Sequence, residues 1–211
     1  MPVVILLVLA APPVSIAPIN TDTPSTDRAP NEAAIAASLK QWTAKDGAQC
    51  RTYPGDAPLN AVHITASSYQ TWRDKHYRPQ NIFDGDYKTA WVENKKGDGL
   101  GEWAAIGFVP TNKVVRLIGV LVVSGFAKNA YMFARNNRPQ HLRLESDCAD
   151  APTSSLLLEL EDRRTPQLFV FPGAVTLAAD RPCKLTFTIE AVYRGSHYRD
   201  TSLAEARLLF R

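Results

Sequence analysis

Few features of this sequence point to a transition metal, to hydrolysis or to nucleic acid. Its three cysteines form no CxxC pair and show no Cys/His spacing typical of zinc sites. The four histidines show no i, i+4 pairing, and no serine stands in a nucleophile-elbow context. The formal net charge of +3 is too small to argue for a nucleic-acid partner. The usual sequence signatures of these three classes are therefore missing.

The N-terminal apolar run is too short for a permanent membrane span. Residues 3–17 fall below the roughly 20 residues that cross a bilayer, and Pro12 and Pro13 interrupt them. The run ends in Ser15-Ile16-Ala17, the small-x-small pattern that signal peptidase cleaves, although no Lys or Arg precedes it. We therefore expect residues 1–17 to be a signal peptide and the protein to be exported, either periplasmic or secreted.

The cysteines fit an oxidising compartment if two of the three pair. Cys148 and Cys183 both flank strand-like runs, whereas Cys50 belongs to the segment that leads into the domain. We predict a disulfide between Cys148 and Cys183, with Cys50 left as a thiol.

The chain of 211 residues is long enough for one well-buried core with a short appendage. Residues 18–31 hold almost no large apolar groups and are expected to be a linker. Residues 32–43 carry apolar residues among good helix formers, which predicts one short helix with Asn31 as its cap and Trp42 as its anchor. We assign residues 18–59 to a linker with this helix and residues 60–211 to the domain.

From about residue 60 the sequence consists of short apolar and β-branched runs separated by turn residues, a pattern typical of an all-β sandwich. Residues 184–190 alternate in polarity, which predicts one buried face, and residues 117–123 are apolar on both faces, which predicts a central strand. Eight strands suit a jelly-roll β-sandwich. The predicted strands are Val62–Ala66, Glu102–Phe108, Val114–Val123, His141–Ser146, Ser155–Leu160, Gln167–Phe171, Lys184–Tyr193 and Leu203–Phe210.

The segment 81–93 holds closely spaced oxygen ligands around a glycine that permits a tight turn. Asp84, Asp86 and Thr89 can converge on one hard cation such as calcium, and Glu205 is a distant fourth ligand if the chain ends fold together. The alternative is a surface turn in which the two acids bond to nearby backbone N–H groups.

Three passages without strand character, residues 67–100, 124–140 and 194–202, are too long for simple hairpins. In β-sandwiches such loops gather at the ends, where binding surfaces form. They carry aromatic faces suited to the apolar side of a sugar and polar groups suited to its hydroxyls. The candidate ligand-binding residues are Trp91, Glu93, Lys128, Tyr131, Asn136, Arg138, Tyr198 and Asp200. Surface loops whose aromatic residues plug the core are the other interpretation.

Five blocks of the sequence, in order, resemble one family. The chain looks like the discoidin-like domain named for translocation of a bacterial NAD glycohydrolase, a branch of the coagulation-factor 5/8 type C, galactose-binding-like superfamily. The resemblance covers roughly residues 60–211. The blocks are 81–93, 99–103, 125–126, 136–138, and 193–201 together with 204–205.

This resemblance implies a non-catalytic jelly-roll module that binds glycans. It also implies a calcium ion that braces the loops, with Asp84, Asp86, Thr89 and Glu205 as the matching ligands. Only a linker and a short helix precede the domain in this sequence, so toxin translocation and the enzyme name are not carried over.

Three hypotheses follow for the function. The first is an exported glycan-binding protein, with a cell-envelope polysaccharide as one possible ligand. The second is a protein–protein adaptor that uses the same loops. The third is an enzyme acting on an envelope polymer, with Glu93 or Glu102 as the reacting carboxylate. The missing hydrolase signatures and the resemblance favour a protein that binds without catalysis.

Overall fold

Over the residues that the structure describes, the protein folds as a β-sandwich with one small α-helix and a 3-10 helix at Pro79–Phe83. The computed structural model describes residues 14–18, 51–111, 114–149 and 151–211. The predicted helix at 32–43, its anchor Trp42, most of the linker, and Cys50 lie outside these residues, as does most of the expected signal peptide. No helix in the described ranges is long and apolar enough to span a membrane.

All eight strands predicted from the sequence are present, and most of them are longer than expected. The described residues also form five short strands. The long strands are β3 (Leu59–Ala66), β7 (Trp103–Pro110), β8 (Val114–Ser124), β9 (Arg138–Cys148), β10 (Ala151–Glu159), β11 (Gln167–Ala178), β12 (Cys183–Tyr193) and β13 (Ser202–Phe210). The short strands are β1 (Val14–Ile16), β2 (Arg51–Tyr53), β4 (Thr71–Trp72), β5 (Lys75–His76) and β6 (Trp91–Val92).

Two sheets form the sandwich. One has the strand order β1-β10-β9-β12-β7-β3, and the other has the order β11-β8-β13-β2, with β6 paired to the start of β13. The strand pairs are antiparallel except for β1, which runs parallel to β10. Because β2 pairs with β13, the fold begins before residue 60, the boundary that the sequence predicted.

The polarity patterns explain where the strands lie. The buried side chains of β12 alternate with more exposed ones as far as Glu190, as the sequence predicted. Strand β8 lies between β11 and β13, in agreement with its apolar residues on both faces. Every residue of β13 is buried. Between the sheets the core contains Phe83 against Phe187 and Phe108 against Phe210, each pair with ring centroids 6.1 Å apart.

Antiparallel pairing brings the long connections to one end of the sandwich. The end of β8 lies beside the start of β13, where Val123 pairs with Glu205. The start of β9 lies beside the end of β12, where Arg138 pairs with Tyr193. The connections that leave or enter these strand ends, together with residues 67–102 before β7, therefore share this end. We call it the loop end.

The opposite end is closed by a disulfide between Cys148 and Cys183, the pair that the sequence predicted. The two residues face each other where β9 ends and β12 begins. The cross-link therefore lies far along both strands from the loop end.

Candidate functional site

A cavity of about 250 Å³ opens at the loop end. Its lining combines aromatic rings, amide groups and one carboxylate, drawn from all three long passages. The lining residues are Gln70, Trp72, Tyr77, Val92, Phe126, Met132, Asn136, Tyr198 and Asp200. Such a mixture of apolar faces and a few polar groups is typical of small-ligand sites.

A short hairpin places one wall of the cavity. Thr71 pairs with His76 and Trp72 with Lys75 in β4 and β5, around a turn in which Arg73 has a φ of 55°. Trp72 is 55% exposed, although a large aromatic side chain is normally buried. The guanidinium of Arg73 lies 4.6 Å from the centroid of its ring. The hairpin thus presents an indole face to solvent.

Gln70 and Asp200 form the polar wall. The Gln70 side chain donates its Nε2–H to Asp200 Oδ2 over 3.0 Å. The Gln70 backbone is held from both sides, since its N–H donates to Val92 O at 2.8 Å and its carbonyl accepts from Tyr77 N at 3.0 Å. The carboxylate is therefore held in place by a neutral amide on a fixed backbone.

A one-and-a-half-turn helix, α1 (Ala130–Arg135), supplies the third wall. The passage was predicted as a loop, and the helix begins because the Asn129 side chain accepts a hydrogen bond from Met132 N at 2.8 Å. At the other end the Asn136 side chain donates to Met132 O at 2.8 Å. Met132 and Asn136 both line the cavity, so the helix ends determine the shape of this wall.

The loop before β13 carries Tyr198 to the cavity. Tyr198 donates its backbone N–H to Arg135 O over 2.7 Å, which joins this loop to α1. Its ring is 41% exposed and lies 5.2 Å from the Arg135 guanidinium. Burial and, to a smaller degree, the charge of Tyr198 raise the pKa of Tyr77, so the two phenols lie within electrostatic reach of each other.

Behind the cavity, buried polar groups connect the loops. The Glu93 carboxylate accepts the backbone N–H of Thr201 at 2.9 Å and that of Lys95 at 2.6 Å. Burial raises the pKa of Glu93, and these two hydrogen bonds oppose the shift. Gly99 is required here, because its φ is +69° and an added Cβ would lie 2.5 Å from the Glu93 carboxylate.

Asp98 lies next to this network and contacts one amide and two guanidinium groups. Its side chain accepts from Asn137 Nδ2 at 3.1 Å and forms ion pairs with Arg194 at 3.0 Å and Arg199 at 3.3 Å. Desolvation acts to raise the pKa of Asp98, but the hydrogen bonds from Asn137 and Arg194 and the charges of both arginines outweigh it and lower the pKa.

The four predicted calcium ligands lie in neighbouring segments at the loop end. Thr89 donates its hydroxyl to Asp84 Oδ2 at 2.7 Å, and Gly85 donates its backbone N–H to the buried Glu205 carboxylate at 3.1 Å. Gly85 has a φ of +79°, as a tight turn at this glycine requires. Burial raises the pKa of Asp84, and hydrogen bonds from Asp86 N and Thr89 oppose the shift.

The chemistry of this set fits a hard cation, but the side chains are arranged as a hydrogen-bonded turn. Asp84 Oδ1 accepts Asp86 N at 2.8 Å, and Asp86 Oδ1 accepts Lys88 N at 2.9 Å. In the described part of the chain, no three His, Cys, Asp or Glu side chains converge as a metal site would need. A calcium ion would need these oxygen donors to converge more closely than they do here.

Three of the predicted sugar ligands lie elsewhere and are corrected. Trp91 is fully buried beside β13 and donates its indole N–H to Ser68 O at 2.8 Å, so its ring belongs to the core. Glu93 is fully buried and engaged by backbone N–H groups. Arg138 forms a two-pronged ion pair with Asp162 at 2.5 Å and lies over the Phe133 ring, outside the cavity lining.

The other five predicted ligand-binding residues fall into two groups. Asn136, Tyr198 and Asp200 line the cavity, whereas Lys128 and Tyr131 are exposed outside its lining. The guanidinium of Arg135 covers the Tyr131 ring at 4.9 Å from its centroid.

Sequence reasoning missed Gln70, Trp72 and Tyr77. The signal was available, since residues 69–72 place two aromatic residues and an amide directly after a strand.

The sandwich with its long loops at one end defines the class, a discoidin-like domain of the galactose-binding-like fold. The chain belongs to the family of the NAD glycohydrolase translocation F5/8 type C domain, whose sequence model matches residues 52–209. None of the curated proteins matches the chain.

Solved structures share the fold at low identity. CBM32-1 from a family 31 glycoside hydrolase of Clostridium perfringens is 9% identical, with a TM-score of 0.50 over 72% of this chain and 96% of that one. Allantoicase from Saccharomyces cerevisiae is 13% identical, with a TM-score of 0.53 over 85% of this chain and 53% of that one. The family 32 module of C. perfringens NanJ, solved with galactose, is 12% identical, with a TM-score of 0.47 over 71% and 93%.

Proposed function

We propose that this protein is a carbohydrate-binding module that holds a glycan in the loop-end cavity and breaks no covalent bond. The observation that carries the proposal is the cavity itself, where an exposed indole and a phenol stand beside two amides and a carboxylate. Rings of this kind pack on the apolar face of a sugar, while amide and carboxylate groups bond to its hydroxyls. The ligand class fits a volume of about 250 Å³.

The family and one structural neighbour support this proposal. CBM32-1 shares the fold and is named as a carbohydrate-binding module. Allantoicase has the same fold and is named as an enzyme, so fold alone does not choose the function. Glu93, one of the two carboxylates of the enzyme hypothesis, is buried under backbone N–H donors, which disfavours it as a reacting group.

A glycan array with matched variants tests the proposal. Trp72→Ala should weaken binding to any positive glycan about tenfold or more, because a sugar ring loses the apolar area it covers. The melting temperature should change little, since Trp72 is more than half exposed. Tyr131→Ala is the matched control, because that exposed aromatic ring lies outside the cavity lining.

If the folded protein binds none of the glycans on the array, glycan binding is contradicted. Capture of a protein partner that free saccharides do not displace would favour the adaptor hypothesis. If the Trp72 and Tyr131 variants lose glycan affinity equally, the cavity is not the binding site.

Calcium bracing belongs to the same proposal. Asp84, Asp86, Thr89 and Glu205 would hold the ion, which would supply positive charge and tie the 84–89 turn to the start of β13. A ligand that binds only the folded state stabilises it by mass action. A chelator should therefore lower the melting temperature of the wild type and leave that of Asp84→Asn unchanged.

The control for this test is Asp147→Asn, which removes an exposed carboxylate of β9. That variant should respond to the chelator as the wild type does. Identical melting curves with and without the chelator would mean that the acids serve the turn alone.

Export to an oxidising compartment completes the proposal, and cleavage after Ala17 would remove β1 (Val14–Ile16), the edge strand that pairs with β10. It is supported by the Ser15-Ile16-Ala17 pattern and by the disulfide, since disulfides are rare in reducing compartments. N-terminal sequencing of the protein from its host tests it, and a mature chain that retains residues 1–17 would contradict cleavage there.

A further inference from the structure

The loop-end cavity contains one charged side chain, and that charge is negative. Among the described residues that line it, Asp200 is the one acid, and none is basic. The other lining residues carry phenol, amide, aromatic or aliphatic side chains. We propose that the glycan carries a protonated amine, as in a hexosamine without its N-acetyl group, and that Asp200 binds the ammonium. This inference rests on the proposed function and adds the chemical class of the ligand.

The partners of Asp200 leave its charge available. Its side chain accepts one hydrogen bond from the neutral Gln70 amide at 3.0 Å, and its backbone carbonyl accepts Asn137 N at 3.2 Å. These contacts orient the carboxylate without compensating its charge. A cationic ligand group would form the stronger, charge-assisted hydrogen bond.

The nearby arginines pair with a different acid. Arg199 precedes Asp200 in the sequence, yet its guanidinium lies 3.3 Å from Asp98, and Arg194 lies 3.0 Å from the same carboxylate. Asp98 thus takes two cations behind the cavity, while Asp200 remains the acid within the lining. The chain therefore separates a compensated carboxylate from one directed to the ligand site.

The aromatic walls suit a cation as well. Trp72 and Tyr198 already attract guanidinium groups, with Arg73 at 4.6 Å and Arg135 at 5.2 Å from the ring centroids. Neither arginine belongs to the cavity lining. An ammonium in the cavity would combine ring faces with a carboxylate, the arrangement by which aromatic cages hold ammonium groups.

An N-acetyl group in the same position would be disfavoured. Its amide N–H would still donate to the Asp200 carboxylate, but without the positive charge of an ammonium, and its carbonyl oxygen would add a further acceptor near that carboxylate. A neutral sugar hydroxyl would still donate to the carboxylate, but without charge assistance. The cavity should therefore distinguish amine from amide more strongly than it distinguishes one neutral sugar from another.

Isothermal titration with paired ligands tests the inference on the full chain. The pairs are short glucosamine oligomers with their N-acetylated forms and galactosamine with N-acetylgalactosamine. In at least one pair the amine form should bind about tenfold more tightly than its acetylated form, as the gain of a charge-assisted hydrogen bond implies.

Two variants should change this preference in opposite directions. Asp200→Asn keeps the shape of the side chain and should abolish the amine preference while N-acetylated or neutral sugars still bind. Arg135→Gln removes the cation over Tyr198 and should increase the amine preference, because a like charge near the cavity is lost. Asp147→Asn removes a carboxylate outside the lining of this cavity and should leave the preference unchanged.

The outcomes separate the inference from the function on which it rests. Acetylated or neutral sugars that bind as tightly as amines, and lose binding in Trp72→Ala, would overturn the amine inference and keep the glycan site. An amine preference that survives in Asp200→Asn would also overturn it. Failure of every saccharide to bind the folded protein would overturn both.

Discussion

Glu93 lies fully buried between two loops, and the backbone N–H groups of Thr201 and Lys95 donate to its carboxylate. Gly99 packs against the same group, with no room for a side chain. Burial of a carboxylate disfavours its ionised form, which is why the pKa of Glu93 rises above its ordinary value of 4.5. Glu93 thus joins the loop that follows β6 to the loop that carries Tyr198.

The raised pKa of Glu93 gives a pH prediction with a definite sign. Between the ordinary pKa of 4.5 and the raised value of the folded state, the unfolded chain releases a proton that the folded protein keeps. The contribution of Glu93 to stability is therefore complete below this window and is lost as pH rises through it. Urea unfolding of the wild type and of Glu93→Gln across this range measures the effect.

The informative quantity is the difference in the free energy of unfolding between the two proteins. As pH rises through the window, the wild type should lose stability relative to Glu93→Gln by up to about 1.4 kcal/mol per pH unit, because one proton is involved. Other titrating groups cancel in this difference. A difference that stays constant across the window would show that Glu93 titrates alike in both states.

At the scale of elements, α1 is too short to be stable alone. Six residues lie far below the roughly 12–15 at which isolated helices become marginally stable. The helix persists because Asn129 caps its start and because Ala134 and Arg135 accept N–H groups from the loop before β13. The shape of the cavity wall therefore depends on a single cap and on a neighbouring loop.

Removal of the cap should act on binding through the helix. Asn129→Ala loses the hydrogen bond to Met132 N, which costs about 1 kcal/mol. We expect the start of α1 to fray and glycan affinity to fall severalfold, because Met132 and Asn136 line the cavity. Amide hydrogen exchange of residues 130–135 together with a binding titration measures both effects.

Asn129→Asp is the matched control, since aspartate caps helices about as well as asparagine. It should retain slow exchange and near-normal affinity. Fast exchange in Asn129→Ala with unchanged affinity would show that the helix does not shape the site.

At the scale of the whole molecule, the sandwich separates its cross-link from the loop end. The disulfide joins residues 35 positions apart at the end opposite to the loops. A cross-link over this length restricts the unfolded chain much more than it affects the folded one. Stability and binding should therefore respond separately to its removal.

The double variant Cys148→Ala/Cys183→Ala should lose about 2–4 kcal/mol of unfolding free energy. Its glycan affinity should match that of the wild type at temperatures where both are folded. Denaturant midpoints and binding titrations on the same samples measure the two quantities. A folded variant with weakened binding would indicate that the two ends are coupled.

The sequence by itself determined the sheets of this protein. A period of two residues, apolar runs on both faces and turn residues between them predicted all eight long strands and the central position of β8, because burial of a strand face depends on local alternation. The pairing of Cys148 with Cys183 followed from their places beside two strands. Glu205 of β13 lies beside the 84–89 turn, where the backbone N–H of Gly85 donates to its carboxylate, and calcium binding by these residues stays a prediction.

Only the tertiary structure decided which side chains line the loop-end cavity. Trp91 and Trp72 both occupy two-residue strands, which are too short to show any periodicity. Trp91 is buried because β6 pairs with β13, whereas Trp72 is exposed because its hairpin pairs only with itself. The two acids Glu93 and Asp200 also differ in their surroundings. Glu93 accepts backbone N–H groups in the interior, whereas Asp200 lines the cavity. These differences arise from contacts between distant segments, and local sequence carries no record of them.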